Sequence, residues 1–460
     1  MKKIGRRLAL KFIDILGADS FLTEPEDTSC YSFDASGLQF VPAAVALPSD
    51  SLQVRKMVRL CNEEGIPVIP RGAGSGTTGG SLPSTGGVVV SLTRMNRIRS
   101  IDPVELSCVV EPGVVTGILQ REVEKRGLFY PPDPASLAFC TIGGNVNTCA
   151  GGARAVKYGV TRDYVRALKI VLSDGEEITV GTSTAKGVVG YDLRHLFVGA
   201  EGTLGIVTEI TLRLLPLPEA VGTVAAVFLS TQQAIDSITG LFESNILPRC
   251  AEFLDGLSLS CIADLLPFEP GDEAQAFILI EVDGPTDAVI SQLEDVDKSL
   301  YDNGALQIYR PKTGNDSARL WTARRKLSPS IKKLGFEKKI SEDICVPRAR
   351  LSSMLTFLDD VQRVYPVTII TFGHAGDGNL HVNLLFNTRD LRSGTEIEEV
   401  ITQIMKKTVA MGGTISGEHG VGLSKRAFLE IELSPRMVEL HKQIKDVFDP
   451  KNILNPHKIF

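Results

Sequence analysis

None of the eight cysteines, at positions 30, 61, 108, 140, 149, 250, 261 and 345, stands in a C-x-x-C or other cluster-ligand spacing. The chain is therefore expected to carry no iron–sulfur centre of its own. Most of these thiols sit among apolar or small residues and read as buried, which suits a reducing, cytosolic compartment. Basic residues are not in excess: 49 Lys and Arg stand against 55 Asp and Glu, a net charge of −6 with a pI near 5.7. That balance carries no nucleic-acid signature. There is one Trp, and no apolar run approaches the length of a membrane span. No internal repeat or low-complexity tract is evident. The 460 residues, 43% hydrophobic and 23% charged, suit two or three ordinary globular domains.

The N-terminal stretch MKKIGRRLALKFIDILG is basic, but Arg6, Arg7, Lys11 and Asp14 interrupt any signal-peptide core. Leu8, Phe12 and Ile15 fall on one helical face, so a first helix packed on the body is expected. A surface or membrane anchor is the alternative.

What the chain does have is concentrated in residues 66–80, IPVIPRGAGSGTTGG. An apolar run with Pro leads into a loop with Gly at 72, 74, 76, 79 and 80, behind Arg71 and interleaved with Ser75, Thr77 and Thr78. Glycine lets successive backbone N–H groups turn inward, and such a concave row of donors binds anions, phosphates above all. Arg71 adds a charge whose fork suits phosphate. The string Gly74-Ser-Gly76-Thr-Thr-Gly79 also matches a Rossmann dinucleotide fingerprint. That fingerprint requires a following helix. Here Pro83, Gly86 and Gly87 precede Val88-Val89-Val90, a second strand, so a Rossmann site is rejected and a pyrophosphate cradle is preferred to a plain surface turn.

Along the chain, a strand is expected over 41–47, then a helix capped by Ser49 and running to about Glu63. Strands follow near 87–92 and 106–111, then a helix from Pro112-Gly113 to Gly127. Residues 129–163 are rich in Gly, Pro and small polar residues and read as an irregular, ligand-lining segment. A hairpin spans 167–180, strand residues resume before 215, and Pro216-Leu217-Pro218 marks a domain boundary. Beyond it, strands (221–228, 275–283, 305–310, 340–346) alternate with helices (231–243, 285–302, 314–334, 347–364), a split βαβ, ferredoxin-like pattern with an antiparallel sheet. A final hairpin joins 367–374 to 380–386.

That hairpin carries His374-Ala-Gly-Asp-Gly-Asn-Leu-His381, one His on each side of a tight turn, where antiparallel pairing brings the imidazoles together. Asn383 lies two residues on and shares the face of His381. Further on, Gly417-Glu418-His419-Gly420-Val421-Gly422 sets a carboxylate beside a third His. The chain has six His, and three fall in these two glycine-flanked motifs. Two His and a carboxylate with open positions suit Zn²⁺, with Fe²⁺ or Mn²⁺ as alternatives.

These motifs together carry a resemblance. PRGAGSGTTGG, YPPDPAS, GGNVNTCAGG and GAEGTLGIVTEITLRLLP resemble flavin domains of the vanillyl-alcohol-oxidase type. HAGDGNLH, GEHGVG and the ending ILNPHKIF resemble the C-terminal domain of the FAD-linked D-2-hydroxyacid dehydrogenases, the D-lactate, glycolate and D-2-hydroxyglutarate branch. The resemblance spans nearly the whole chain. It implies an α+β protein: an N-terminal helical segment (1–37), a two-subdomain FAD-binding domain (38–217), and a ferredoxin-like, antiparallel-sheet substrate domain (218–460) whose tail, from about 413, returns to the flavin. It implies that Arg71, Gly72, Gly74, Ser75 and Gly76 hold the FAD pyrophosphate. Pro132, Asp133, Ser136, Gly143, Gly144, Asn145, Gly151, Glu201, Gly205, Val207 and Asn455 would make further FAD contacts. His374, His381 and Glu418 would hold the metal, with Asn383 close by, and His419 would be the base. Arg324, three residues after Trp321, would bind the substrate carboxylate, with Ser328 and Lys339 as counterparts of further substrate contacts. Ser75 stands where covalently flavinylated relatives place a His, so dissociable FAD is expected.

The implied activity is oxidation of a D-2-hydroxy acid to the 2-oxo acid, D-lactate first and glycolate next. Electrons would pass to a separate acceptor: an electron-transfer flavoprotein, an iron–sulfur subunit, a cytochrome or quinone. Two alternatives are an O₂-using oxidase of another alcohol, which would not need the two-His-and-Glu site, and a non-catalytic flavin subunit, which would be expected to lose it. The expected location is the cytoplasm, with peripheral association at the inner face of the membrane compatible with the sequence.

Overall fold

The computed structural model describes residues 4–460, and the chain divides into two compact units. The first comprises the chain up to Gly151, then Val160–Leu217 and Glu418–Phe460; the second comprises Gly152–Gly159 and Pro218–Gly417.

The first unit opens with helix α1 (Arg6–Leu16), whose Phe12 is fully buried and stacks on Phe21 with ring centroids 4.5 Å apart. Leu8 and Ile15 pack partly buried on the same core, which is the packed-helix reading of the N-terminus. Strands β1 (Phe21–Leu22), β2 (Ala44–Ala46), β3 (Val68–Arg71) and β4 (Val88–Ser91) form one sheet in the order β1-β2-β4-β3. Its central pairs are parallel, with Val68 facing Val88 and Arg71 facing Ser91. The crossover between β2 and β3 is helix α2 (Ser51–Glu64), capped by Asp50 rather than by Ser49. The Asp50 carboxylate reaches the Gln53 N–H at 2.8 Å, whereas Ser49 is occupied by the Gln53 side chain. No helix separates β3 from β4, so the glycine loop links two strands.

A second, antiparallel sheet contains β5 (Ile98–Asp102), β6 (Ser107–Val110), β8 (Val165–Val171), β9 (Glu177–Gly181) and β10 (Ile206–Arg213) in the order β5-β6-β10-β8-β9. A short pair joins β7 (Leu128–Phe129) to β11 (Leu215–Pro216). The expected helix after Pro112 is shorter, α3 (Thr116–Glu124). The segment expected to be irregular contains a buried helix, α4 (Ile142–Thr148), capped by the Thr141 hydroxyl. Two adjacent glycines at its start hide it from propensity, because glycine is a poor helix former. The tail closes the unit: Val68 N–H donates to Ile453 O (2.7 Å) and Asn455 N–H to Val68 O (2.8 Å), so the chain end lies along β3.

The second unit is one seven-stranded, wholly antiparallel sheet of β12 (Ala220–Phe228), β13 (Cys250–Asp255), β14 (Ala276–Gly284), β15 (Ala305–Tyr309), β16 (Lys338–Cys345), β17 (Thr368–His374) and β18 (Asn379–Phe386). The order is β15-β12-β14-β13-β17-β18-β16. Residues 244–274, which carried no reading from sequence, supply β13 and helix α5 (Gly256–Ile262). Helix α6 (Gly314–Ser330) packs with α5 on one sheet face, over Ala225, Val227, Leu254, Phe277, Leu279, Ile370 and Phe372. Strand alternation puts every one of these on the same side, and that face turns polar toward one end.

None of the eight cysteines forms a disulfide; five are buried, two half-buried and Cys30 exposed. No helix among the described residues is long and apolar enough to cross a membrane.

Candidate active site

In the first unit, the glycine loop, the start of α4 and the segments at 134–136 and 201–202 enclose a cavity of about 250 Å³. The N–H groups of Ala73 through Thr77 donate to no protein acceptor among the described residues, so the loop presents a row of unengaged donors. Close packing makes this geometry depend on glycine. Gly74 has φ +71°, and a Cβ there would run into the Arg71 guanidinium. At Gly143 a Cβ would meet the Pro112 carbonyl oxygen at 2.9 Å. Gly76 differs: its Cβ would point into open space. A cavity edged by free backbone donors, with no carboxylate on the glycine loop itself, fits the diphosphate of a dinucleotide.

Arg71, Gly72, Gly74, Ser75, Gly76, Ser136, Gly143, Gly144, Asn145 and Glu201 line this cavity. Arg71 does so from a buried position, donating to Phe33 O (2.8 Å) and Ser81 Oγ (3.3 Å), so it braces the loop from within rather than standing free at its mouth. Pro132, Asp133, Gly151, Gly205, Val207 and Asn455 are not in the lining. Asn455 lies buried behind it, its amide donating to Gly80 O (2.8 Å) and Glu201 O (2.7 Å), and thus ties the loop's end to the 201 turn.

Glu418 and His419 also line this cavity. The segment is pinned on both sides. Thr78 Oγ1 donates to His419 O (3.3 Å), and the two Glu201 carboxylate oxygens accept from Val421 N (2.6 Å) and Gly422 N (2.8 Å). Burial pushes the Glu201 carboxyl up to about 7, against those two N–H donors and against Lys458 and Lys425. His419 Nε2 lies 3.9 Å from Glu418 Oε1.

In the second unit, the polar end of the sheet face gathers His374, His381, Asn383 and Arg324, whereas Lys339 pairs in register with Leu385, four residues along β18 from His381. His374 pairs in register with Asn379 and His381 with Phe372, so the two imidazoles are diagonal neighbours. Their centroids are 5.3 Å apart at 87°. Each is backed by a buried carboxylate on its Nδ1 side: Glu252 at 2.5 Å from His374 and Asp343 at 3.6 Å from His381. A carboxylate at Nδ1 favours the tautomer that leaves Nε2 as the lone-pair nitrogen, the arrangement of metal-binding histidines. Burial raises the Glu252 carboxyl, but His374 and Arg324 outweigh it and hold the group below the usual carboxylate range.

Arg324 is nine-tenths buried on α6. Its Nε donates to Glu252 Oε2 (2.7 Å), and its guanidinium carbon lies 4.9 Å from the Phe372 ring centroid. Its Nη nitrogens bond to no protein group among the described residues, so the fork's outer edge is open. Trp321, one turn earlier, donates to Glu281 (2.5 Å). Asn383 is fully engaged, accepting from Ser341 (2.6 Å) and donating to Ile370 O and His381 O. Lys339 donates to Ser328 (2.9 Å), and burial lowers its pKa.

Glu252 and Asp343 were missed from sequence. Glu252 is a carboxylate flanked by apolar residues in the strand Cys-Ala-Glu-Phe-Leu-Asp, which ends on a second carboxylate, Asp255, and such a charge inside a buried strand is the signal that would have marked it.

Residues 42–181 match the family described as FAD binding domain, and residues 217–459 match FAD linked oxidases, C-terminal domain. The chain is 39% identical to glycolate oxidase subunit GlcD of Bacillus subtilis (strain 168), over 98% of this chain and 96% of that one. It is 36% identical to D-lactate dehydrogenase of Anaerostipes hadrus, over 91% and 89%. Among solved structures, p-cresol methylhydroxylase with substrate bound superposes with a TM-score of 0.79 at 18% identity, over 98% of this chain and 95% of that one, a likeness of fold alone. The chain belongs to the FAD-linked oxidases, in the branch of the D-2-hydroxyacid dehydrogenases and glycolate oxidase subunits.

Proposed function

We propose that this protein oxidises a D-2-hydroxy acid to the 2-oxo acid, with D-lactate as the first candidate and glycolate the second, and passes the electrons to a separate protein or quinone. The observation that carries this reading is the pairing of two carboxylate-backed imidazoles on one buried sheet face with an arginine fork, open at its edge, from the helix packed on that face. The fork suits a substrate carboxylate, which it can take in a bidentate grip. The names of the relatives support the substrate class, since they include a D-lactate dehydrogenase and a glycolate oxidase subunit.

FAD would be held without a covalent bond by the backbone of Gly72 through Thr77, with Ser136, Gly143, Gly144 and Asn145, and when bound supplies a hydride acceptor. The donor set of His374 and His381 fits a divalent cation, Zn²⁺ first and Fe²⁺ or Mn²⁺ as alternatives, and the family resemblance adds Glu418 as a ligand; such a cation supplies Lewis acidity toward the hydroxyl. The remaining work falls to the chain's own groups. Arg324 Nη1 and Nη2 bind the carboxylate and fix the orientation of C2. His419, neutral, takes the hydroxyl proton at an imidazole nitrogen. Glu252 and Asp343 keep His374 and His381 from turning.

The test is anaerobic titration of the FAD-loaded protein with D- and L-enantiomers of lactate and 2-hydroxyglutarate, and with glycolate, following loss of the oxidised-flavin band. Rapid bleaching by a D-acid or glycolate is expected. Faster bleaching by the L-enantiomers, or by none of the acids, would reject the reading.

A further inference from the structure

Glu252 uses both carboxylate oxygens, each on a different partner. Oε2 accepts from Arg324 Nε at 2.7 Å, and Oε1 lies 2.5 Å from His374 Nδ1. The residue is 1% exposed, and its two partners come from a helix and a neighbouring strand. The contacts close on themselves. The Arg324 guanidinium lies over Phe372, the Phe372 and His381 rings are 5.4 Å apart, and those of His381 and His374 are 5.3 Å apart. From His374 the path returns through Glu252 to Arg324.

We infer that Glu252 is a positioning residue that couples two tasks: it aims the Arg324 fork at the substrate carboxylate and holds His374 in the tautomer that frees Nε2 for the cation. The inference rests on the proposed function. A buried arginine needs a counter-ion, and any nearby carboxylate could serve. A mere counter-ion, however, would not also meet an imidazole at its Nδ1. A glutamine in its place cannot serve both partners. Its single oxygen can face Arg324 or His374, and the amide NH₂ then faces a donor or enforces the other imidazole tautomer.

The experiment uses the full chain loaded with FAD, depleted of metal and titrated with Zn²⁺ against a chelator, alongside steady-state kinetics with the best acid from the panel. Glu252→Gln is expected to weaken Zn²⁺ binding about 10- to 100-fold, the usual worth of a partner behind a metal-binding histidine. It should raise KM at least about tenfold in the same protein, the equivalent of one lost charged hydrogen bond. Values for both within about threefold of wild type, with only the melting temperature lowered, would overturn the inference and leave a structural counter-ion. Should Glu252→Gln not fold, Glu252→Asp decides. It keeps the charge but is one methylene too short to span both partners, and is expected to lose at least about tenfold in Zn²⁺ affinity or in KM. Wild-type behaviour in both would overturn the inference. If the wild type itself binds no Zn²⁺ and is reduced by no 2-hydroxy acid, it is the proposed function that fails, a result read without any Glu252 variant.

Discussion

The candidate sites of the two units are built from opposite chemistry. The cavity of the first is lined largely by backbone: a loop of glycines whose N–H groups meet no protein acceptor among the described residues, and a short helix that begins with two more. The site of the second is made of side chains: Glu252, His374, His381 and Asp343 on one sheet face and Arg324 from the helix over it, each charge answered by another. Backbone donors carry partial charges that need no counter-ion and cost little to bury. Full charges in a sheet core are tolerated only when paired. The first site should therefore be broken by adding atoms and the second by removing charge.

The largest effect is expected where a side chain moves a proton. His419→Asn should keep FAD and metal but slow flavin reduction about 10²- to 10⁴-fold, the usual worth of a general base, in kcat as well as kcat/KM. Glu418→Gln should instead weaken metal retention. If the two phenotypes are exchanged, so are the roles. Next is Arg324→Met, expected to lower kcat/KM by roughly 30- to 1,000-fold, the range of about 2–4 kcal/mol for a charged hydrogen bond in a desolvated site. A loss below about threefold would mean that another cation holds the carboxylate.

The same contrast governs what could be read from sequence. A glycine loop is local: five glycines, an arginine and three hydroxyls within eleven residues announce anion binding wherever the loop ends up. His374 and His381 were legible for the same reason, since a hairpin turn links them directly. Glu252 is 72 residues from Arg324 and 122 from His374, and only the sheet order β13-β17-β18 brings them together. Long-range pairing of this kind leaves no trace in local periodicity. The roles of Arg71 and Asn455 were blurred for a related reason. Composition can say that a charge or an amide lies near a loop, but only packing says whether it faces the cavity or braces its wall.

A smaller effect sharpens the first half of the comparison. Gly76 has no protein atom within 4 Å of where its Cβ would stand, and no positive φ. Gly76→Val should therefore leave the apo protein's stability within about 0.5 kcal/mol of wild type. It should still weaken FAD binding at least about tenfold if the cofactor occupies that space. Gly143→Ala should do the reverse, destabilising the apo protein by about 1–3 kcal/mol through the clash with Pro112. Unchanged FAD affinity in Gly76→Val would move the cofactor out of this part of the cavity.

The smallest effect comes from a carboxylate that the first unit buries at its cavity. Burial raises Glu201 from an ordinary 4.5 to about 7, and lowers Lys458 from 10.5 to about 8. For Glu201 the folded state holds the proton more tightly than the unfolded chain, so its contribution to stability is greatest below pH 4.5 and is lost as pH rises to 7. For Lys458 the unfolded chain binds the proton more tightly, so stability is penalised below pH 8 and recovers between 8 and 10.5. The first unit should be least stable between pH 7 and 8, with each limb worth on the order of 1–3 kcal/mol. Glu201→Gln cannot titrate, and its NH₂ group must face one of the N–H donors of Val421 and Gly422, so it starts with a constant handicap. The difference in melting temperature between wild type and Glu201→Gln should therefore favour wild type most at pH 5 and narrow steadily toward pH 7. Taking the difference cancels the titrating groups that do not interact with Glu201, which leaves Lys458 and Lys425 as its charged neighbours. A gap that is flat or widens over that interval would mean that Glu201 is ionised throughout, stabilised by its two backbone donors more than burial disfavours it. The first unit would then hold the Glu201 carboxylate ionised, as the second holds Glu252.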